Sequence, residues 1–163
     1  MTTKVAVAGA RGRMGQLVSR IIEDSDEFEL VAQLGSASDP SEMLAADLVV
    51  DVTVPAVSQS VVQFAVGNGL KVLVGTSGWS AERIASLETV VAGSPEAGVV
   101  IVPNFSIGSV LATSFAAMAA RFYDSIEIIE AHHASKIDSP SGTAVRTAEL
   151  MATARAQLGP VAA

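Results

Sequence analysis

The basic side chains that could do chemistry gather in two short places. Arg11 and Arg13 stand in the glycine-rich stretch VAGARGRMG, residues 7–15. His132, His133 and Lys136 stand together in HHASK, and His132 and His133 are the chain's two histidines. The formal net charge is -7, so a nucleic-acid-binding surface is not indicated. Two basic spots in an acidic chain point to two sites for small anions. The plainer alternative is chance clustering on a solvated surface.

The first spot has a physical form. Gly9, Gly12 and Gly15 follow an apolar run, Lys4 to Ala8, and precede an amphipathic one. A glycine permits a tight turn, and missing side chains let backbone approach a pyrophosphate. The helix that follows offers N–H groups and a partial positive charge at its start. The spacing is G-x-x-G-x-x-G, with Ala10 after the first glycine. A structural turn with close helix packing is the competing reading. The second spot is followed by Ser139 and Pro140, a good N-cap and a good first helical residue. A helix beginning there would turn the N–H groups of Ser141, Gly142 and Thr143 outward, with Gly142 allowing close approach and the Thr143 hydroxyl adding a bond. That too could be a helix start and nothing more.

The elements that must position these spots alternate. Lys4–Ala8 reads as a buried strand and Gly12–Asp24 as a helix with Met14, Leu17, Val18, Ile21 and Ile22 on one apolar face. Strands follow at Glu29–Leu34, Leu48–Val52, Leu70–Val74 and Val99–Val102. Between them Pro55 opens a helix running to about Asn68, and Ser80 caps one running to about Ala92. This pattern predicts an α/β fold, a Rossmann-like doubly wound parallel sheet. After Pro103 the texture changes to a small-residue helix, about Ile107 to Phe122. An alternating strand, Ser125 to Ala131, a loop and a helix from about Pro140 to Gln157 complete the chain's second part. The expected domains are 1–104, binding a dinucleotide, and 105–163, the start of an incomplete α+β domain. Two helices and one strand do not make a sheet that stands alone.

Which nucleotide fits depends on the end of the second strand. An NAD site usually carries Asp or Glu there, bonded to the ribose hydroxyls. Here the region reads VAQLGSAS, with Gly35 and Ser36 and no acid before Asp39. A missing carboxylate removes repulsion against a 2′-phosphate, and Arg11 and Arg13 could bond it. NADPH is therefore expected to be preferred or used equally with NADH.

The most specific stretch is EIIEAHHASKIDSPSGTA, Glu127 to Ala144. It is similar to the dihydrodipicolinate reductase signature E-x-H-H-x-x-K-x-D-x-P-S-G-T. Other matches lie in order: GARGRMG from Gly9, DVTVP from Asp51, GTSGW from Gly75 and PNFSIG from Pro103. These resemble the family's cofactor loop, its D-F-T-x-P strand end, its G-T-T-G-F turn and its interdomain P-N-F-S-x-G. Val52 replaces the usual Phe, and Ser77 and Trp79 are also substitutions. Ser135 stands where many relatives carry another His, and Ser139 where Ala is usual.

The resemblance implies reduction of a cyclic, unsaturated dicarboxylate to tetrahydrodipicolinate by NADPH or NADH, in lysine and diaminopimelate synthesis. Hydride addition to a conjugated imine builds negative charge, so a proton donor must be close. The resemblance makes His132 and Lys136 the acid/base candidates, with Lys136 favoured as direct donor; the sequence does not apportion the roles. His133 would contact substrate. His132 should point elsewhere if both are extended. Ser141, Gly142 and Thr143 would receive substrate carboxylate. Gly9, Ala10, Arg11, Gly12, Arg13, Met14, Gly35 and Ser36 would hold the cofactor from one side. Gly75, Thr76, Ser77, Val102, Pro103, Asn104 and Phe105 would line it from the nicotinamide side. Asp138 orients the loop in this reading. Family chains run on for many tens of residues, completing the second domain's sheet and a homotetramer, so here that domain is expected to be incomplete and its strand unpaired.

Composition narrows the rest. There is no cysteine, hence no disulfide or thiolate metal site. Two histidines without a spaced third ligand make a poor closed metal site, and none is expected. The N-terminus lacks the layout of a signal peptide. The most apolar stretch, Ile107 to Ala120, is too short and polar to span a bilayer. A cytoplasmic protein without membrane or nucleic-acid partners is expected. Two other readings compete. An aspartate dehydrogenase would share the glycine loop but not HHASK with SPSGT, and a catalytically silent nucleotide-binding module would bind cofactor without turnover.

Overall fold

The computed structural model describes residues 2–134, 136 and 139–157. The readings placed on Ser135 and Asp138 lie outside these residues. The chain divides into two compact units, Met1–Val102 and Pro103–Ala163.

The first unit is built on five parallel strands: β1 (Thr3–Ala8), β2 (Phe28–Leu34), β3 (Leu48–Asp51), β4 (Lys71–Val74) and β5 (Gly98–Ile101). Their order is β2-β1-β3-β4-β5, all parallel, with Ala8 paired to Asp51, Asp51 to Val74 and Val74 to Ile101. The strand residues sort onto two faces with period two. Ala6, Ala8, Val49, Val72 and Val74 pack into one core, with α2 (Pro55–Gly67) and α3 (Ala81–Ala92) supplying Val62, Ala65, Val66 and Leu87. Val5, Val7 and Val50 pack into the other, with Ile22 of α1 (Arg13–Glu23). Burial on both faces explains the near-continuous apolar strands. This is the expected Rossmann-like arrangement. The chain moves from β1 outward to β2 and then back across to β3. The ends of β1 and β3 thus form a topological switch point, where open α/β sheets bind ligands.

Three local expectations are corrected. The apolar face read on α1 is turned: Met14, Leu17 and Ile21 are exposed, while Gly15, Ser19 and Ile22 are buried. The reason is steric. A Cβ on Gly15 would lie 2.1 Å from the Gly9 carbonyl oxygen, so the helix can meet the loop only on its glycine side. The β2–β3 connection holds a 3-10 helix, Pro40–Ala45, that the apolar pattern does not reveal. Its signal lies in DPSE, where Asp39 and Glu42 form a capping box, and Met43 anchors it in the core. The third correction concerns the second unit. It contains α4 (Ile107–Ala120) and α5 (Gly142–Ala156), joined side by side by a Thr113–Thr147 hydroxyl bond of 2.9 Å. Residues 125–131 form no strand, because a strand exists only through ladder bonds to a neighbour, and helices offer none.

Candidate active site

The glycine loop is fixed from β2. Both the Gly9 and Ala10 N–H groups donate to the Leu34 carbonyl, at 2.9 and 3.1 Å, and Gly12 N–H donates to the Gly9 carbonyl at 3.0 Å. Gly9 has φ +86, and a Cβ there would lie 2.6 Å from the Val52 carbonyl oxygen. Only glycine satisfies both demands. Gly12 then caps α1 with no side-chain bond and no acid in the first turn. The N–H groups of Arg13 and Met14 are without acceptors among the described residues, leaving donors and a positive helix end for an anion.

The other expected dinucleotide contacts of this unit collect at the same sheet edge, each just beyond a strand. Gly35 and Ser36 follow β2; Gly75, Thr76 and Ser77 follow β4; Val102 follows β5 and donates to the Val74 carbonyl at 2.8 Å. At the β2 end the Arg11 side chain lies over Gly35, where a Cβ would come 3.1 Å from Arg11 Nε. Asp39, the nearest acid, is committed elsewhere. It accepts the Ser41 N–H at 2.8 Å, and that bond holds its carboxyl below the usual range. Gly15, whose side chain would collide with Gly9, and the exposed Arg13 complete the loop.

The second unit brings other candidates together. Asn104 Nδ2 donates to Ser109 Oγ at 2.8 Å and to Thr143 Oγ1 at 3.3 Å, while Asn104 Oδ1 accepts the Ser106 N–H at 2.8 Å. An expected cofactor residue thereby touches an expected substrate residue. They border a cavity of about 180 Å³ with Pro103, Gly142, Thr113 and Arg146 among its walls. Phe105 is exposed beside it in sequence.

The α5 helix starts two residues later than expected. Ser141, not Ser139, is the N-cap, accepting the Ala144 N–H at 3.2 Å. Its own N–H donates to Glu130 Oε1 at 2.7 Å, which ties the cap to the histidine loop. Gly142 and Thr143 keep N–H groups with no acceptor among the described residues, at an exposed helix end. Glu130 had no role in the sequence reading. Its Oε2 stands 3.5 Å from His132 Nδ1. Spacing could have revealed this, because residues i and i+2 of an extended chain share a side. The hydrogen bonds from Ser141 hold the Glu130 carboxyl below its usual range against the opposing effect of burial, and the charges of His132 and Lys136 lower it by lesser amounts. His133 is exposed and Lys136 half-buried, and Lys136 N–H donates to the His133 carbonyl at 3.1 Å, closing a turn.

Comparison with known proteins decides the family. Residues 3–105 match the family described as dihydrodipicolinate reductase, N-terminus, and residues 108–160 match dihydrodipicolinate reductase, C-terminus. The chain belongs to the dihydrodipicolinate reductase family. A 4-hydroxy-tetrahydrodipicolinate reductase of Clavibacter sepedonicus is 71% identical over 163 residues, 100% of this chain and 59% of that protein. One from Streptomyces griseus is 49% identical over 159 residues, 96% of this chain and 63% of that protein. Among solved structures, a dipicolinate-bound dihydrodipicolinate reductase from Paenisporosarcina sp. TG-14 superposes with a TM-score of 0.71 at 30% identity, covering 95% of this chain and 67% of the other. The chain thus spans about three-fifths of the length of these Clavibacter and Streptomyces reductases.

Proposed function

We propose that the protein containing this chain is a 4-hydroxy-tetrahydrodipicolinate reductase, reducing a cyclic dicarboxylate to tetrahydrodipicolinate with NADPH or NADH. The observation that carries this reading is the match of both family halves, in order, over residues 3–105 and 108–160. Residues 1–104 would bind the dinucleotide, and 105–163 would begin the substrate and oligomerisation domain.

The glycine loop fits a pyrophosphate. Gly9 and Gly15 let the loop pack backbone to backbone where a side chain would collide, and the loop so held leaves the Arg13 and Met14 N–H groups open. When bound, the nicotinamide would supply the hydride. Gly75, Thr76, Ser77, Val102, Pro103, Asn104 and Phe105 would line its side of the cleft. Arg11 beside Gly35 supports recognition of a 2′-phosphate, and Asp39 supplies no competing carboxylate because it caps the 3-10 helix. NADPH is accordingly the expected preference.

The solved Paenisporosarcina relative binds dipicolinate, a flat ring with two carboxylates. In this chain Gly142 and Thr143 N–H groups and the Thr143 hydroxyl would hold one carboxylate, with Ser141 as the cap that fixes them. His133 would contact the ring. Lys136 would deliver the proton and His132 would assist, its imidazole oriented by Glu130. The protein would act as a homotetramer in the cytoplasm; no described helix is long and apolar enough to cross a membrane.

A coupled assay tests the reading. Synthase, pyruvate and aspartate semialdehyde are supplied, and loss of NADPH or NADH is followed with the protein containing this chain. Synthase-dependent oxidation is expected, and its absence with folded protein refutes the assignment. Changing Lys136 to Ala should lower kcat by about 100-fold or more. Unchanged turnover in both this variant and His132→Ala would remove the proton chemistry from this loop.

A further inference from the structure

A buried carboxylate with no part in the reading above lies at the switch point. Asp51 ends β3 and is fully buried. Each of its polar groups is engaged, and the partners come from three segments. Oδ1 accepts the Thr53 N–H at 3.1 Å and the Thr53 hydroxyl at 2.6 Å, which shapes the turn between β3 and α2. Oδ2 accepts the hydroxyl of Ser58, itself buried in the first turns of α2. Ser58 Oγ in turn accepts the indole N–H of Trp79 at 3.0 Å. The Asp51 carbonyl accepts the Gly75 N–H at 2.8 Å and the Thr76 hydroxyl at 3.4 Å. The glycine loop rests on the same turn, because Gly9 packs against the Val52 carbonyl.

A charged group taken out of water is costly unless its bonds are made, so such a carboxylate fixes whatever donates to it. The donors here are the turn 52–54 and, through Ser58, the loop 75–79. A second clamp holds that loop from outside: Arg83 Nη1 donates to the Pro55 and Gly78 carbonyls at 3.0 and 3.1 Å. The inner link depends on an indole. Trp79 stands where the family pattern has Phe, and a Phe ring has no N–H to give.

We propose that Asp51 is a positioning residue for dinucleotide binding, and that Ser58 carries its hold to Trp79 so that the loop 75–79 presents a fixed surface to the nicotinamide half of the cofactor. The inference rests on the dinucleotide reading given above. It divides the sheet edge by function: the glycine loop takes the phosphates, and the Asp51 network sets the loop beyond β4.

The test separates the two halves of the ligand. The 163-residue chain is titrated by calorimetry with NADPH and with 2′,5′-ADP, which lacks the nicotinamide. Ser58→Ala removes the link while leaving Thr53 bound to Asp51, and Trp79→Phe removes the donor while keeping a ring. Each should weaken NADPH by about three- to tenfold, the worth of one hydrogen bond, and leave 2′,5′-ADP within about twofold. The double variant should be no worse than Ser58→Ala alone, since that change already deletes the bond that Trp79→Phe removes. In Ser58→Ala without ligand, emission from Trp79, the one tryptophan of the chain, should shift. Asp51→Asn should weaken NADPH further, because an amide NH₂ aimed at Ser58 leaves the buried hydroxyl proton without an acceptor; the other two variants decide the matter if it does not fold. Equal loss for both ligands, or no loss of NADPH in the Ser and Trp variants, overturns the proposal. A wild-type chain that binds neither ligand instead overturns the dinucleotide reading on which it stands.

Discussion

One carboxylate joins the histidine loop to the helix that follows it: Glu130 Oε1 holds the Ser141 N–H at 2.7 Å, and Oε2 stands 3.5 Å from His132 Nδ1. The geometry links the expected proton-handling residues to the expected carboxylate-binding helix end. It also anchors the start of α5, whose cap Ser141 accepts the Ala144 N–H at 3.2 Å through its side chain.

This pairing has a pH signature. The folded carboxyl of Glu130 lies below its ordinary 4.5, first because of the Ser141 hydrogen bonds. A lowered acid favours the folded state above its unfolded pKa, and that support fades as pH falls from about 4.5 through the folded value. The Ser141 amide proton should therefore titrate in NMR with a midpoint below 4.5. Glu130→Gln should abolish the titration. A wild-type midpoint at or above 4.5 contradicts the geometry.

Arg11 and Gly35 set a second expectation. Arg11→Ala should weaken NADPH about tenfold or more while changing NADH little, because a charge-assisted bond to the extra phosphate is lost. Gly35→Asp places a carboxylate where the Arg11 side chain now lies. It should move the preference toward NADH by pairing with the arginine and repelling phosphate. Dissociation constants for both cofactors provide the check; an unchanged ratio in both variants rules out Arg11 as the reader of the phosphate.

Much of this was legible in the sequence because local chemistry decided it. Apolar strand runs gave five strands within a residue or two, and Ser80 caps α3 as its type predicts, accepting the Arg83 N–H at 3.3 Å. What was missed depended on contacts between distant residues. The amphipathic face of α1 was misread because its orientation is set by the backbone approach of Gly15 to Gly9, which hydrophobicity does not encode. At α5 the sequence offers two serines that could cap, Ser139 and Ser141, and a linear pattern does not show that Glu130, eleven residues before Ser141, bonds the second. In the sequence Asp51 is only a strand end and Trp79 only a substitution in a turn, since nothing in a linear pattern places Ser58 between them.

The turned face of α1 leaves a mark that can be measured. Ser19 is buried against the sheet, and among the described residues its hydroxyl has no hydrogen-bond partner. An unsatisfied buried hydroxyl costs about 1–3 kcal/mol, and Ala is also the better helix former by a few tenths of a kcal/mol or more. Ser19→Ala should raise unfolding free energy by about 1 kcal/mol in urea titrations, without changing the slope. A destabilised variant means that the hydroxyl is bonded in solution.

Three glycine-to-alanine changes put the packing of the loop to a stricter test, because the chemistry is the same and the predicted signs differ. At Gly67, near the end of α2, an added Cβ meets nothing within 4 Å. Lower unfolded-state entropy should then stabilise the chain by about 0.5–1 kcal/mol. At Gly12 the Cβ would lie 3.3 Å from the Gly9 carbonyl oxygen, a contact relieved by a small shift, so a loss of about 1 kcal/mol or less is expected, most of it from a poorer cap. At Gly15 the Cβ would lie 2.1 Å from that same oxygen and 2.6 Å from the Ala10 Cα. Both are backbone atoms, so α1 must move off the loop, at a cost of about 1–3 kcal/mol or more. That movement also separates the open Arg13 and Met14 N–H groups from the turn at Gly9. Gly15→Ala should accordingly lose dinucleotide binding while Gly67→Ala retains it. Urea midpoints in the order Gly67→Ala, wild type, Gly12→Ala, Gly15→Ala, from highest to lowest, are the expected result, and a Gly15→Ala midpoint at or above wild type would show that the close approach of helix to loop is not a feature of the folded protein.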